Sequence, residues 1–474
     1  MSNNTSLKRK ITKSAEIKNS QFLIAKDYSN WKTLQPKQKL DSEQLEYFVN
    51  VIKNEFKKKS IVDNSFNRDK HELEVISFFE KKLASEINSS QLKSNQFKFY
   101  DLFCGAGGLS VGLEEAGLFP DLALDKDKSS LMTYHFNRPY LKDNQLINDD
   151  IKLVAKEFDF KKIPLVVGGP PCQGFSNANK QKKAGDDRNH LYKFYLKTVK
   201  MSCPDIFLLE NVPGILDSIN QIKKDFKTIK YTLYPYILNT KDFGFPQNRK
   251  RVFIVGINEK HSKIFDELIL LFNKTIEKNK NAPVFTLWDA ISDLPTLKAK
   301  TERNSTFLES KDWGYTFGKF TKHESKYSQI INNGRHLVSP ILNHKSKFNN
   351  ERDIKIYSLL QPGDKSDSDK IADINPYLSR EDIFQDKFFK LFPNEPCKTI
   401  TAHMYYDCHM YIHPKSSRGL TPREAARVQG FSDDYLFLGS PNEWYRQIGN
   451  AVSPLLGKIL GIAINKMLYR IYEY

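Results

Sequence analysis

The sequence predicts an α/β fold: a largely parallel β-sheet covered on both faces by helices, with a helical N-terminal extension and a smaller irregular region. Three observations predict it. Five short β-rich runs, "FKFYDLF", "DLALD", "PLVVGGPP", "DIFLLENV" and "RVFIVGI", each stop at polar or glycine residues. Helical segments separate several of them, and strands alternating with helices build parallel sheets whose ligands sit at the strands' carboxyl ends. A chain of 474 residues with 39% apolar and 12% aromatic content buries at least one full core and has room for two or three structural units.

Residues 1–96 read as a basic helical extension. "SEQLEYFVNVIKNEFKKK" puts Leu45, Phe48, Val49, Ile52 and Phe56 on one face behind Ser42 as N-cap. "DKHELEVISFFEKKLASEI" repeats the pattern with Leu73, Ile76, Phe79 and Leu83. Such stripes read as core packing, and no helix-turn-helix stands out. Residues 97–257 carry the sheet: the first strand breaks into the glycine turn "CGAGGLS", with a helix over Val111 to Ala116. From about Asn258 to Gly419 the alternation gives way to a loop-rich, basic region. Regular signals return at "LTPREAARVQGFS", where Thr421 is the N-cap, Pro422 sits at the first helical position and Glu424 completes a capping box. Residues 440–474 complete the sheet unit through "SPLLGKILGIAINKMLYRIY", an amphipathic helix expected to pack back on it.

The net charge of +17 and pI near 9.3 fit a polyanionic partner, nucleic acid first, although basicity alone does not select one. Cys104, Cys172, Cys203, Cys397 and Cys408 are odd in number and widely spaced, without a C-x-x-C pair or histidines at zinc-ligand spacing. That excludes a disulfide framework and a structural metal, and leaves reduced thiols free for chemistry. The N-terminus is basic and polar, and no apolar run approaches membrane-spanning length, so a soluble intracellular protein is expected.

Two groups of residues carry chemistry. Gly105, Gly107 and Gly108 follow the first strand directly, which fits a dinucleotide turn, a packing turn or a methyl-donor loop. The next strand ends in "ALDKD", where Asp125 is placed to take a ribose diol and Asp127 is either that or a helix-start carboxylate. Asp150, followed by Ile151, suits an adenine contact, against a solvated turn for Asp149 and Asp150. There is no phosphate-binding lysine-serine loop, so the ligand reads as a nucleoside other than ATP. In "VVGGPPCQGFS", Cys172 is either a buried thiol or a nucleophile stiffened by Pro170 and Pro171. Glu210 ends the apolar strand "DIFLLENV", where a carboxylate can donate a proton or a strong hydrogen bond. In "PQNRKRVF", Gln247, Arg249 and Arg251 alternate on one strand face, which suits neutralising an oxygen, holding phosphates, or lining an edge strand.

Taken in order, "FYDLFCGAGGLS", "GGPPCQGFS", "LLENV", "QNRKRVF", "LTPREAARVQGF" and "QIGNAVSP" resemble the cytosine-C5 DNA methyltransferases of bacterial restriction-modification type, over about Phe97 to Pro454 apart from the variable stretch. The resemblance implies a Rossmann-like catalytic domain that uses S-adenosylmethionine, and a target-recognition domain over residues 258–439. It implies that Cys172 adds to C6 of a cytosine flipped out of double-stranded DNA. Glu210 engages N3, and Arg251, supported by Arg249, holds O2 and the site's architecture. Asn211 would brace the Pro-Cys loop, and Gln173 to Asn189 would close on DNA. Phe103, Gly105, Gly107, Leu109, Asp125, Asp150, Ile151, Pro171 and Asn450 match donor-pocket positions. Thr399, Ile400 and Thr401 match a short signature of the recognition region, where Cys397 and Cys408 are structural. Two positions depart from the family: Asp125 stands where glutamate is commoner, and Lys126 where a bulky apolar residue often covers the adenine. A cytoplasmic, nucleoid-associated monomer is expected, with a cognate endonuclease that acts on the same site without needing to bind. A tRNA substrate and a non-catalytic DNA-binding regulator are the alternatives. The target site is not legible, because direct readout has no transferable code.

Overall fold

A computed structural model describes residues 42–63, 67–91, 96–171, 191–322, 324–332, 338–377 and 387–473. Its elements, in chain order, begin with helices α1 (Ser42–Lys57) and α2 (Arg68–Gln91). The sheet unit follows as β1 (Lys98–Leu102), α3 (Gly108–Glu115), β2 (Phe119–Leu124), α4 (Lys128–Phe136), β3 (Leu146–Ile147), α5 (Ile151–Glu157) and β4 (Leu165–Gly168). It continues with α6 (Leu191–Ser202), β5 (Ile206–Asn211), α7 (Ile219–Lys227), β6 (Tyr231–Asn239), β7 (Lys250–Asn258) and α8 (Phe265–Lys278). Beyond these lie a hairpin, β8 (Gly314–Lys322) and β9 (Val338–Lys345), then α9 (Pro422–Gln429), α10 (Pro441–Asn450) and α11 (Pro454–Glu473).

The seven-stranded sheet has the order β3-β2-β1-β4-β5-β7-β6. Its pairs are parallel except those made by β7, which runs against both β5 and β6. All five expected runs are strands; β3 and β6 add to them. Val166 faces one core and Val167 the other, as do Phe207 and Leu208, which is why these strands are apolar throughout. One face is covered by α3, α8 and α11 through Leu113, Phe272, Leu460 and Ile464; α5, α6 and α7 cover the other through Val154, Val199 and Phe226. A Cβ on Gly112 would lie 2.3 Å from the Pro454 carbonyl oxygen, so α3 and α11 touch backbone to backbone. Helix α8 packs on this same core although it follows residue 257. The stretch Pro441–Glu473 is long and apolar enough to cross a membrane, contrary to the expectation from sequence, yet 67% of its most apolar window is buried inside the fold.

The extension is docked, not free-standing. Phe48, Val49, Ile52, Phe56, Ile76, Phe79 and Leu83 are buried as expected, with Phe136, Phe317, Leu342, Leu436 and Leu438. Leu73 is a correction: it is 68% exposed, and Val75 and Phe78 take its place. The stripe on α2 runs one step further round than the spacing suggested, because it must meet Phe317 and Phe320 of β8.

Helix α9 is polar in sequence yet buried at every position. The expected cap is present: the Thr421 hydroxyl accepts from the Glu424 N–H at 3.1 Å and the Glu424 carboxylate accepts from the Thr421 N–H at 2.7 Å. Its charges are matched internally. Arg418 grips Glu424 with two bonds of 2.8 and 2.7 Å; burial raises the carboxyl's pKa, but Arg418 more than offsets this and holds it below the usual range.

Candidate active site

Glu210 stands at the carboxyl end of β5, next to β4, where a parallel sheet opens to ligands. Its Oε1 meets Arg251 Nε at 3.0 Å, and both side chains keep some solvent contact, 14% and 16% exposed. Its Oε2 lies over the strand-to-loop turn: a Cβ on Gly169 would come within 2.8 Å of that oxygen, so the second glycine of "GGPP" is required by the carboxylate. Asn211 donates to the Pro170 carbonyl at 2.9 Å and accepts from the Val212 N–H at 2.8 Å. The brace on the Pro-Cys loop is thus in place as far as the exposed Pro171. Cys172, and the expected closing loop Gln173 to Asn189, lie outside the described residues. Of the cysteines described, Cys104, Cys397 and Cys408 are buried. Burial pushes their thiols up, Cys397 to about 12 and Cys408 to about 11, so Cys397 and Cys408 are core residues held as thiols.

Gln247, Arg249 and Arg251 alternate with the exposed Asn248 and Lys250, as read from sequence, but the face they share is turned inward. The strand breaks at Arg249: Gln247–Asn248 pairs separately with Cys397–Lys398, and β7 starts at Lys250. Arg249 turns inward and is 2% exposed. It donates to the carbonyls of Ile400 at 2.7 Å, Gly449 at 3.1 Å and Ala451 at 3.0 Å. Burial, then the nearby Arg251 charge, lower its pKa. Gln247 completes the join: it accepts from the Ile400 N–H at 3.0 Å and donates to Gln429 at 2.7 Å and to the Val428 carbonyl at 3.2 Å. Thr399 donates to the Asn248 carbonyl, and Thr401 shares a bond with the Tyr411 hydroxyl. The segment Thr399–Thr401 is therefore stapled to Gln247, Asn248 and Arg249.

The glycine turn lies at the other end of the opening. Phe103 and Gly105 both hold positive φ, 60° and 53°. No atom lies within 4 Å of where a Gly105 Cβ would be, so this backbone borders open space. Asp125 frames that space: its Oδ2 accepts from the Gly105 N–H and its Oδ1 from the Asp127 N–H, both at 2.8 Å. Burial raises its pKa while these two bonds pull it down. Asp127 is the N-cap of α4, accepting from Ser130 N–H at 3.1 Å, and it pairs with Arg446 at 2.6 Å. Asp150 caps α5 through the Lys152 N–H at 2.9 Å. Gly108 touches the Val452 carbonyl, which brings the segment after the exposed Asn450 against the turn.

A model of the C-5 cytosine-specific DNA methylase family matches residues 97–466. The chain belongs to that family. The methylase is 30% identical over 392 residues to the type II methyltransferase M.DdeI of Desulfomicrobium norvegicum, covering 77% of this chain and 88% of the relative. It is also 30% identical to M.AgeI of Thalassovita gelatinovora over 438 residues, covering 77% and 99%. A solved structure of a prophage-encoded E. coli protein, described as a DNA modification methyltransferase, superposes with a TM-score of 0.55 at 27% identity, covering 80% of this chain and 100% of that one. Methyl transfer to cytosine C5 in DNA is thus the methylase's activity, with S-adenosylmethionine as the family's donor. The family match begins at Phe97, so α1 and α2 lie outside it.

The fold sorts the expected donor-pocket residues of the methylase. Phe103, Gly105, Asp125, Asp150, Pro171 and Asn450 have surface, whereas Leu109 and Ile151 are core residues. Gly107 is glycine for a different reason than ligand approach: a Cβ there would meet Arg138 Nη1 at 2.5 Å and Tyr134 at 2.7 Å. Sequence reasoning missed the polar cluster under the turn. Asp101 accepts from the Ser110 hydroxyl at 2.5 Å, Ser110 meets the Tyr134 hydroxyl at 2.9 Å, and Arg138 donates to the Gly107 carbonyl at 3.0 Å. Burial pushes the Asp101 carboxyl up to about 7, against the Ser110 bond and the Arg138 charge. The signal was a carboxylate inside the apolar strand "FYDLF".

Proposed function

We propose that this methylase modifies one cytosine of a short recognition sequence in double-stranded DNA, as the protective partner of a restriction endonuclease in the bacterial cytoplasm. The observation that carries the site assignment is the Glu210–Arg251 pair at the carboxyl end of β5, beside a loop braced by Asn211 that leads directly to Cys172. In this reading the Cys172 thiolate forms a bond to C6 of the extruded base. Glu210 at N3 and Arg251 at O2 hold the electron density displaced into the ring. C5 becomes the nucleophile, and loss of its proton after methylation re-forms the double bond and expels the thiolate. Arg249 touches no reacting atom here; it is a positioning residue that holds Thr399–Thr401 and Gly449–Ala451 around Arg251.

The turn fits a nucleoside-bearing donor, since the open side of Gly105 and the Asp125 carboxylate form a cradle of the right chemistry. Phe103, Gly105, Asp125, Asp150, Pro171 and Asn450 would hold S-adenosylmethionine, which supplies an electrophilic methyl carbon when bound. Asp125 has lone pairs left for a ribose diol besides the two backbone bonds.

Bisulfite sequencing of DNA from cells expressing the protein tests this reading. Complete conversion-resistance at one cytosine of one short motif is expected. Folded, soluble protein with no resistant cytosine in DNA, or with modification confined to tRNA, would overturn it.

A further inference from the structure

We propose that α1 and α2, which lie outside the family segment, form a clasp that positions the recognition region for DNA, holding hairpin β8–β9 in place from outside. The inference rests on residues 258–439 being the target-recognition region. The contacts are numerous and varied. Ser60–Ile61 pairs in parallel with Leu308–Glu309, just before the hairpin. The Asp63 carboxylate accepts from the Tyr315 hydroxyl at 3.1 Å and from the Lys311 N–H. His71 Nε2 meets the Phe317 carbonyl at 2.9 Å. Phe56 stacks on Phe317, with ring centroids 4.6 Å apart and planes 16° from parallel, and Phe78 meets Phe320 edge-on at 5.9 Å.

The two strands of the hairpin differ in their polar supports, although Leu342 of β9 also packs against the extension. Strand β9 is bonded to α9 and its flanking segments: His344 meets Thr421 at 2.9 Å, Arg423 donates to the Leu342 carbonyl at 2.7 Å, and Asn343 exchanges two bonds of 3.0 Å with Phe437. On β8, Tyr315, Phe317 and Phe320 face α1 and α2. From β9 the packing continues through α9 to Gln429 and Gln247, and so to Ile400 and Arg249 beside Arg251. The clasp also touches the far end of α4, through Phe136 and Lys82 with Asn137 at 3.4 Å. That helix is also bonded through Asn137 and Thr133 to Leu436, Leu438 and Gln447, of which Leu436 and Leu438 pack in the same cluster as the clasp. Loosening the clasp at Asp63 and Phe56 therefore acts on β8 first, while these hydrogen bonds keep the donor end in place.

The test uses the full chain with Asp63→Asn, Tyr315→Phe, the double variant, and Phe56→Ala, each measured well below its melting temperature. KM for target duplex is expected to rise about 3- to 10-fold in the single variants. Discrimination against one-mismatch duplexes should fall, with kcat and S-adenosylmethionine affinity within twofold of wild type. The double variant should cost less than the two single variants added together, since both weaken the same contact. A merely structural role would lower the folded fraction and melting temperature and leave KM and discrimination per folded site unchanged; that result overturns the proposal. So would equal losses of donor and DNA affinity. Hydrogen exchange on the wild type separates this from failure of the underlying reading. If cognate duplex protects no peptide within 258–439, the recognition assignment falls; if it protects such peptides and the variants still behave as wild type, only the clasp falls.

Discussion

Arg249 and Arg251 are two residues apart and do opposite work. Arg251 keeps solvent contact and pairs with the carboxylate of Glu210 at the mouth of the sheet. Arg249 spends its donors on three backbone carbonyls from two distant segments, in a hub with Gln247 and Gln429. In the proposed mechanism Arg251 is an electrostatic group for the charge that develops on the substrate; Arg249 is a bonded joint between segments. The difference teaches that a motif's spacing fixes which residues share a face, while the segments packed against that face decide which of them keeps contact with solvent.

The largest expected effect separates the two directly. Arg251→Ala should lower turnover by about 10²- to 10³-fold, the scale for losing one charge-stabilising donor. Its unfolding free energy should change by about 1–2 kcal/mol, since the Glu210 carboxylate it leaves keeps some contact with water. Arg249→Met should do the reverse: it strands three buried carbonyls and should cost on the order of 3 kcal/mol or more by chemical denaturation. Equal profiles for the two would break the comparison.

Smaller effects sharpen it. Gly169→Ala places a methyl against Glu210 Oε2 and should reduce kcat about tenfold or more with donor affinity intact. Gly105→Ala meets no neighbour, so stability should fall by only about 1–2 kcal/mol, from the positive φ. A disproportionate loss of S-adenosylmethionine affinity, read by calorimetry, would show that the open side is the donor's. The smallest effect concerns acid stability. Burial pushes His344 and His413 down to about 4, so the native state binds fewer protons than the unfolded chain between about 4 and 6.5. Their contribution is complete above pH 6.5 and is lost as pH falls towards 4. Asp101, raised to about 7, slopes the other way, losing stability as pH rises from about 4 to 7. The readout is therefore the difference between wild type and His413→Gln, whose melting temperature should fall less between pH 7 and 5.

Much of this was legible in the sequence, and the gaps have physical causes. Glu210 and Asn211 were readable because a polar pair at the end of a four-residue apolar run must find partners there, Arg251 for the first and the Pro170 carbonyl for the second. Strand β6 was hidden by Pro235 in "YTLYPYILN", which argues against a central strand; β6 is at the sheet's edge, where proline is tolerated. Strand β3 is two residues long and has no pattern to read. The burial of α9 was invisible because Arg418, Asp433 and the carbonyls that satisfy its charges lie outside the helix. Gly107 and Gly105 look alike in "CGAGG", yet one clears Arg138 and the other borders open space.

The central claim is that Cys172, aimed by the Asn211-braced loop, is the nucleophile that Glu210 and Arg251 serve. A target duplex with 5-fluorocytosine at the methylated position, incubated with S-adenosylmethionine, tests it most directly, because fluorine cannot leave as the C5 proton does. A denaturation-resistant protein–DNA adduct is expected, with its peptide mapping to Cys172 and no adduct from Cys172→Ser. An adduct that persists in Cys172→Ser, or that maps to another cysteine, would contradict the account.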